Sequence, residues 1–132
     1  QDVGDRRCTA STHRNLGLVS VHLGDLEAAN VHLDAALDQR WRFGDEAGVA
    51  ECAEALGLLR SAEGRPAEAI ELLAAARVLR ERSGSRPPEP ERIDLETVER
   101  QLASELSHDE SDEARRRGEA LPDLEDLPAH LA

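Results

Sequence analysis

The sequence predicts an all-α protein built as a stack of antiparallel helical hairpins, and three observations carry that expectation. Glycines recur at one interval: Gly4, Gly44 and Gly84 are 40 residues apart, as are Gly17 and Gly57, and Gly24 and Gly64, so seven of the nine glycines share a register. Other residues repeat at the same spacing, among them Leu16/Leu56, Ala29/Ala69, Leu33/Leu73, Ala36/Ala76 and Arg40/Arg80. Between the glycines, apolar residues step by three and four, the signature of a helix with one buried face. Finally, Trp, Phe, Tyr and Met together number two in 132 residues. Ala, Leu and Val must therefore fill the core, which suits close helix packing better than a sandwich or barrel.

The first helix is expected near 5–23, opened by Asp5, whose carboxylate can accept from the free N–H groups of the first turn, and closed by Gly24. The second, near 25–43, starts at Asp25 and carries Leu26, Ala29, Leu33, Ala36 and Leu37 on one face before Gly44. The third, near 45–63, is capped by Asp45 and carries Val49, Cys52, Ala53, Leu56 and Leu59. In the fourth, near 65–83, Pro66 sits in the first turn, where its missing N–H has no partner to lose, and Gly84 closes the helix. Such short turns force antiparallel neighbours. Gly17 and Gly57 lie mid-helix at a cost of about 1 kcal/mol each relative to Ala. Paired with Ala29/Ala69 and Ala36/Ala76, they are expected to let the two helices of a hairpin approach closely.

After Gly84 the register breaks at Pro87, Pro88 and Pro90, a stiff connector. Leu95, Val98, Leu102 and Leu106 then mark a helix over about 90–107, expected to cap the last hairpin. Ser107–Asp112 reads as a polar turn, with Ser111 capping a short helix from 112 to about 120. In the tail, Leu124, Leu127 and Leu131 keep helical spacing but are interrupted by Pro128. The expected organisation is helical repeats over 1–107, in units of about 4–44, 44–84 and a partial 84–107, followed by a short, partly flexible helical extension over 108–132.

Within each unit the residues follow a further pattern. The first unit has His13-x2-Leu16-Gly17-x2-Ser20, then Ala29-x3-Leu33 and Ala36; the second has Ala53-x2-Leu56-Gly57-x2-Arg60, then Ala69-x3-Leu73 and Ala76. In these positions the chain resembles the tetratricopeptide repeat. The Leu-Gly pair, the turn glycine and the small residues of the second helix match. The aromatic positions do not, the closing proline is missing, and the period is 40 rather than the usual 34, which longer helices account for. Gly44-Asp45 before Val49-Ala50, then Ala55-Leu56-Gly57-Leu58, Gly64-Arg65-Pro66-Ala67, Ala114–Leu121 and Leu124-Glu125-Asp126-Leu127 resemble one setting of that repeat. This is the C-terminal region of large actinobacterial transcriptional regulators of the signal-transduction ATPase type, including ATP-binding LuxR-family and maltose-regulator-like proteins. The resemblance implies a right-handed superhelical stack with an ATPase domain before it and a DNA-binding helix-turn-helix elsewhere. This sequence contains no G-x4-G-K-[ST] and no lysine to complete one. The chain opens on Gln1 and lacks Met, so it is expected to be a processed chain or a fragment of something longer.

The resemblance also implies a site. In tetratricopeptide stacks the first helix of each unit lines the concave face, where extended or helical peptides bind. By register, Ser11, Arg14, Leu18, Val21 and His22 of the first unit face that groove, with Glu51, Glu54, Leu58 and Ser61 of the second. Of the basic and Asn residues with which chaperone-binding relatives clamp a C-terminal carboxylate, only Arg14 and Asn15 are present. Glu51 and Glu54 favour a basic or amphipathic partner; as plain solvated positions they carry no site.

Composition removes other classes. With 16 basic residues, all Arg, against 28 acidic ones, the net charge is −12, which argues against direct nucleic-acid binding. No apolar run approaches the ~20 residues of a membrane span, and no signal-peptide core is present. The two cysteines, Cys8 and Cys52, make no disulfide framework and read as free thiols of a cytoplasmic protein. His13, His22, His32, His108 and His130 show no i, i+4 pairing, so no metal is expected. Arg115-Arg116-Arg117 reads as a solvated helix face, and no nucleophile has a local base. The expected function is a non-catalytic interaction or sensor module without cofactor, binding a protein, a peptide, an effector or neighbouring domains of a parent chain. The alternatives are a free-standing groove-binding adaptor, or a structural module that dimerises through an uncapped end.

Overall fold

A computed structural model describes residues 15–123 of the chain. Helical residues 15–22 form α1, followed by α2 (Leu26–Phe43), α3 (Glu46–Ala62), α4 (Pro66–Ser83), α5 (Glu89–Glu105), α6 (His108–Ala120) and a 3-10 turn at Leu121–Asp123. There is no strand among the described residues. The protein is all-α, and four of its helices fall within two residues of their expected bounds. The expectations resting on Gly4, Asp5, Cys8, Ser11, His13, Arg14, Leu124, Leu127, Pro128, His130 and Leu131 lie outside the described residues.

One turn geometry links the hairpins. At Gly44, with φ of 68°, the chain reverses; the Gly44 N–H donates to the Trp41 carbonyl and the Asp45 N–H to the Arg40 carbonyl, at 3.0 and 3.1 Å. The same pair of bonds recurs at Gly24, Gly64 and Gly84, one turn every 20 residues. An L side chain at such a φ is strained, so glycine is required there. The helices restart at once: Asp25 accepts from the Ala28 N–H at 3.1 Å and Asp45 from the Gly48 N–H at 3.0 Å, while α4 opens on Pro66 without a side-chain cap.

The core runs through three helices. Leu33 and Leu37 of α2, Cys52, Leu56 and Leu59 of α3, and Leu72 and Leu79 of α4 form one buried cluster, filled in by Ala29, Ala36, Val49, Ala50 and Ala55. Gly17 and Gly57 occupy equivalent places, but their partners differ from expectation. A Cβ at Gly17 would lie 2.7 Å from Leu33 Cδ2, and one at Gly57 would lie 2.8 Å from Leu73 Cδ2. The residue let in is thus the leucine of Ala-x3-Leu, with Ala69 contributing its carbonyl oxygen at 3.5 Å.

The C-terminal third differs from the sequence reading in two ways. First, α6 begins at His108, because Ser107 and Glu110 form a reciprocal capping box: Ser107 Oγ accepts from the Glu110 N–H at 3.1 Å, and Glu110 Oε1 accepts from the Ser107 N–H at 3.3 Å. Ser111 is therefore a buried residue inside the helix, not its cap. Second, the helix that covers α4 is α6. It packs far more extensively on α4 than α5 does. Gly118 makes this close approach available, since a Cβ there would collide with the Glu71 carbonyl oxygen and lie 2.8 Å from Ala74 Cβ. In α5 only Leu102 is fully buried, in a second cluster with Ala69 and Leu73 bordered by Ile70, Leu95 and Val98. The 3-10 turn then folds back onto α4, with Pro122 buried and Arg82 Nη2 2.6 Å from Asp123 Oδ1.

Candidate partner-binding groove

The first helices of the two hairpins, α1 and α3, share a face over which the N-terminal half of α5 lies. Between them is a recess of about 220 Å³ lined by Leu18 and His22 of α1, Glu54, Ala55 and Leu58 of α3, and Glu91, Asp94 and Leu95 of α5. Four of the residues assigned to the groove by register, Leu18, His22, Glu54 and Leu58, are brought together here. Val21 packs against the main core cluster, as Leu18 also does, but does not line this recess. Glu51 is half-buried and pairs with Arg40, its Oε2 lying 3.7 Å from Nη2. Ser61 is half-buried outside this recess.

Glu54 does not present a free carboxylate to the groove. Both of its oxygens accept from Arg80, at 2.8 Å from Nη2 and 3.1 Å from Nε, in a buried fork that joins α3 to α4. Burial opposes the Arg80 charge, but Glu54's hydrogen bond and charge outweigh it and hold the guanidinium above its ordinary range. Arg80 Nη1 also donates to Ser85 Oγ at 3.3 Å, as Arg40 Nη1 donates to Asp45 at 3.2 Å one repeat earlier. The recurrence of Arg40 and Arg80 at 40 residues was the signal for this role, since a repeated cation at a helix C-terminus ties the next turn.

A larger recess of about 540 Å³ opens beside the first, between the C-terminal half of α4 and α5. Its lining includes apolar Leu73 and Leu95 together with Arg77, Arg80, Glu96 and Glu99. Arg77 Nη2 reaches both oxygens of Glu99, at 2.8 and 2.9 Å, and so pins α5 to α4 from the solvent side. Sequence reasoning missed these α4 and α5 residues because it assigned the groove to first helices alone.

Elsewhere, Cys52 is wholly buried on α3. In the basic run, Arg115 pairs with Asp112 at 2.9 Å, and Arg117 pairs with Glu71 of α4 and, at 3.0 Å, with Glu113. No described helix is long and apolar enough to cross a membrane.

A family model for the tetratricopeptide repeat matches residues 8–82, spanning both 40-residue units. The chain belongs to the tetratricopeptide repeat family. No curated protein and no solved structure matches it. Tetratricopeptide repeats generally mediate protein–protein interaction and are typically non-catalytic, using the extended surface that stacked repeats create. In this tetratricopeptide chain, α1 and α3 share a face that α5 partly covers.

Proposed function

We propose that this chain is a non-catalytic interaction module that receives a segment of a partner protein on the face lined by α1 and α3. The observation that carries the reading is the recess at Leu18, His22 and Leu58, where apolar and polar side chains from successive repeats converge. The test is a peptide array probed with the full chain and with Leu58→Arg, a half-buried position where a charge blocks the recess. Segments captured by the unaltered chain and lost at least tenfold by the variant support the reading; identical capture by both overturns it.

The parent context is part of the same proposal. The resemblance of Gly44-Asp45 through Ala67 to large ATP-binding transcriptional regulators supports placing the module in such a protein. There, partner or effector binding would shift the balance between resting and active assemblies through its differential affinity for the two. An antibody against this segment should detect a native protein several times heavier than 14.4 kDa. A band near that mass favours the free-standing adaptor instead.

A second reading, self-association, draws on α1. Leu16, Val19 and Leu23 are 45%, 53% and 79% exposed at helical spacing, an apolar stripe suited to a second copy. Sedimentation equilibrium showing a concentration-dependent dimer that Val19→Asp abolishes supports it; a monomer at all concentrations removes it.

A further inference from the structure

Resting on the groove reading above, we propose that the N-terminal half of α5 is a displaceable occupant of the groove, and that the partner it stands in for is an acidic amphipathic helix. Packing comes first. Recesses of about 220 and 540 Å³, both open to solvent, flank α5 where it meets α1, α3 and α4, so its seat on the stack is shallow. α5 buries one residue fully, Leu102, close to its C-terminus, whereas the shorter α6 buries Ser111, Ala114 and Gly118. Leu102 seats against Ala69 and Leu73 and anchors the C-terminal half. The N-terminal half has no fully buried residue: Glu91 and Asp94 line the smaller recess, and Leu95 packs half-buried against the same cluster.

Charge comes second. α5 carries Glu89, Glu91, Asp94, Glu96, Glu99 and Glu105 against two arginines. Apart from the Glu54–Arg80 pair, the recess lining beneath and beside it offers the Arg77 guanidinium, engaged by Glu99, and Arg86, against one acid, Glu81. The carboxylate of α3 that would repel an acidic helix, Glu54, is already neutralised by Arg80. The groove thus selects an apolar stripe flanked by acids, the pattern α5 itself presents at Leu95, Val98 and Leu102. The sequence reading, from Glu51 and Glu54, favoured a basic or amphipathic partner; this proposal keeps the amphipathic one and gives it acids.

Because α5 is joined to α4 by only a short Pro-containing connector, it competes at an effective concentration on the order of millimolar, and an outside helix binds weakly until α5 is loosened. The test uses the full chain and a fluorescein-labelled synthetic peptide with the sequence of residues 88–107, followed by fluorescence anisotropy. Leu95→Gln/Val98→Gln, two half-buried positions on α5, should bind this probe at least tenfold more tightly than the unaltered chain. Adding Arg77→Glu should remove that gain. Glu99→Arg, which breaks only the exposed fork, should tighten binding about threefold and guards against misfolding of the double variant; circular dichroism checks that each chain stays helical. Equal affinity for the unaltered and loosened chains overturns the proposal. If the loosened chain prefers a probe whose acids are replaced by Lys, the groove reading survives and the acidic partner falls. If it binds neither probe, both fall.

Discussion

At the residue scale, Glu54 and Arg80 matter most, because each is buried and each is the other's main partner. Removing one side of a buried pair leaves an uncompensated charge and costs about 3–5 kcal/mol, whereas replacing both with apolar residues is often neutral. Glu54→Ala is therefore expected to lower the unfolding free energy in urea by about 3 kcal/mol or more, and Glu54→Leu/Arg80→Met to recover most of it. The glycines make a finer contrast. Gly57→Ala improves helix propensity but pushes its Cβ into Leu73, a side chain able to swing aside, so the net loss is about 1 kcal/mol. Gly118→Ala meets the backbone carbonyl of Glu71, which cannot swing, so the loss is larger, about 2–3 kcal/mol. Equal denaturation midpoints for the two variants would contradict this ranking. Gly57 was legible in the sequence because its phase recurs at Gly17; Gly118 has no repeat mate, and nothing in its surroundings marked it as a contact.

At the scale of elements, the four turns were legible because a positive φ demands glycine and a repeat demands it at fixed spacing. The pairing of α6 with α4 was not. A stripe such as Leu95, Val98, Leu102 shows that a helix has an apolar side but not what covers it, and the stripe of α5 is stronger than anything in α6. Small residues, Ala114 and Gly118, allow α6 to come closer, so the weaker-looking helix forms the tighter contact. The start of α6 was written in the Ser107-x-x-Glu110 pair, which outweighs the later Ser111 because it satisfies two free N–H groups at once. Local opening follows burial. Amide hydrogen exchange should therefore be fastest in the N-terminal half of α5 and slowest in α3 and α4, with α6 between; α5 amides as protected as those of α3 would show it to be firmly seated.

Over the whole molecule, the two repeats share a pattern but not an environment. Leu56 and Leu59 are fully buried between α2 and α4, while their counterparts Leu16 and Val19, 40 residues earlier, stand half-exposed at the edge of the described stack. Apolar side chains at the same phase thus contribute differently to stability. Leu59→Asp should unfold the chain at room temperature, and Val19→Asp should change the unfolding free energy by no more than about 0.5 kcal/mol, the range for surface substitutions. A large loss in Val19→Asp would mean that the edge is covered. The far end of the stack carries a built-in reporter. Trp41 shares a recess of about 240 Å³ with Val49, Leu79 and Pro122. With one tryptophan and no tyrosine in the chain, light emitted on excitation at the indole band comes from that ring alone. Undocking of the 3-10 turn at Leu121–Asp123 would expose more of the half-buried indole to water and shift its emission to the red, so the seating of the C-terminal turn can be followed in the unlabelled protein.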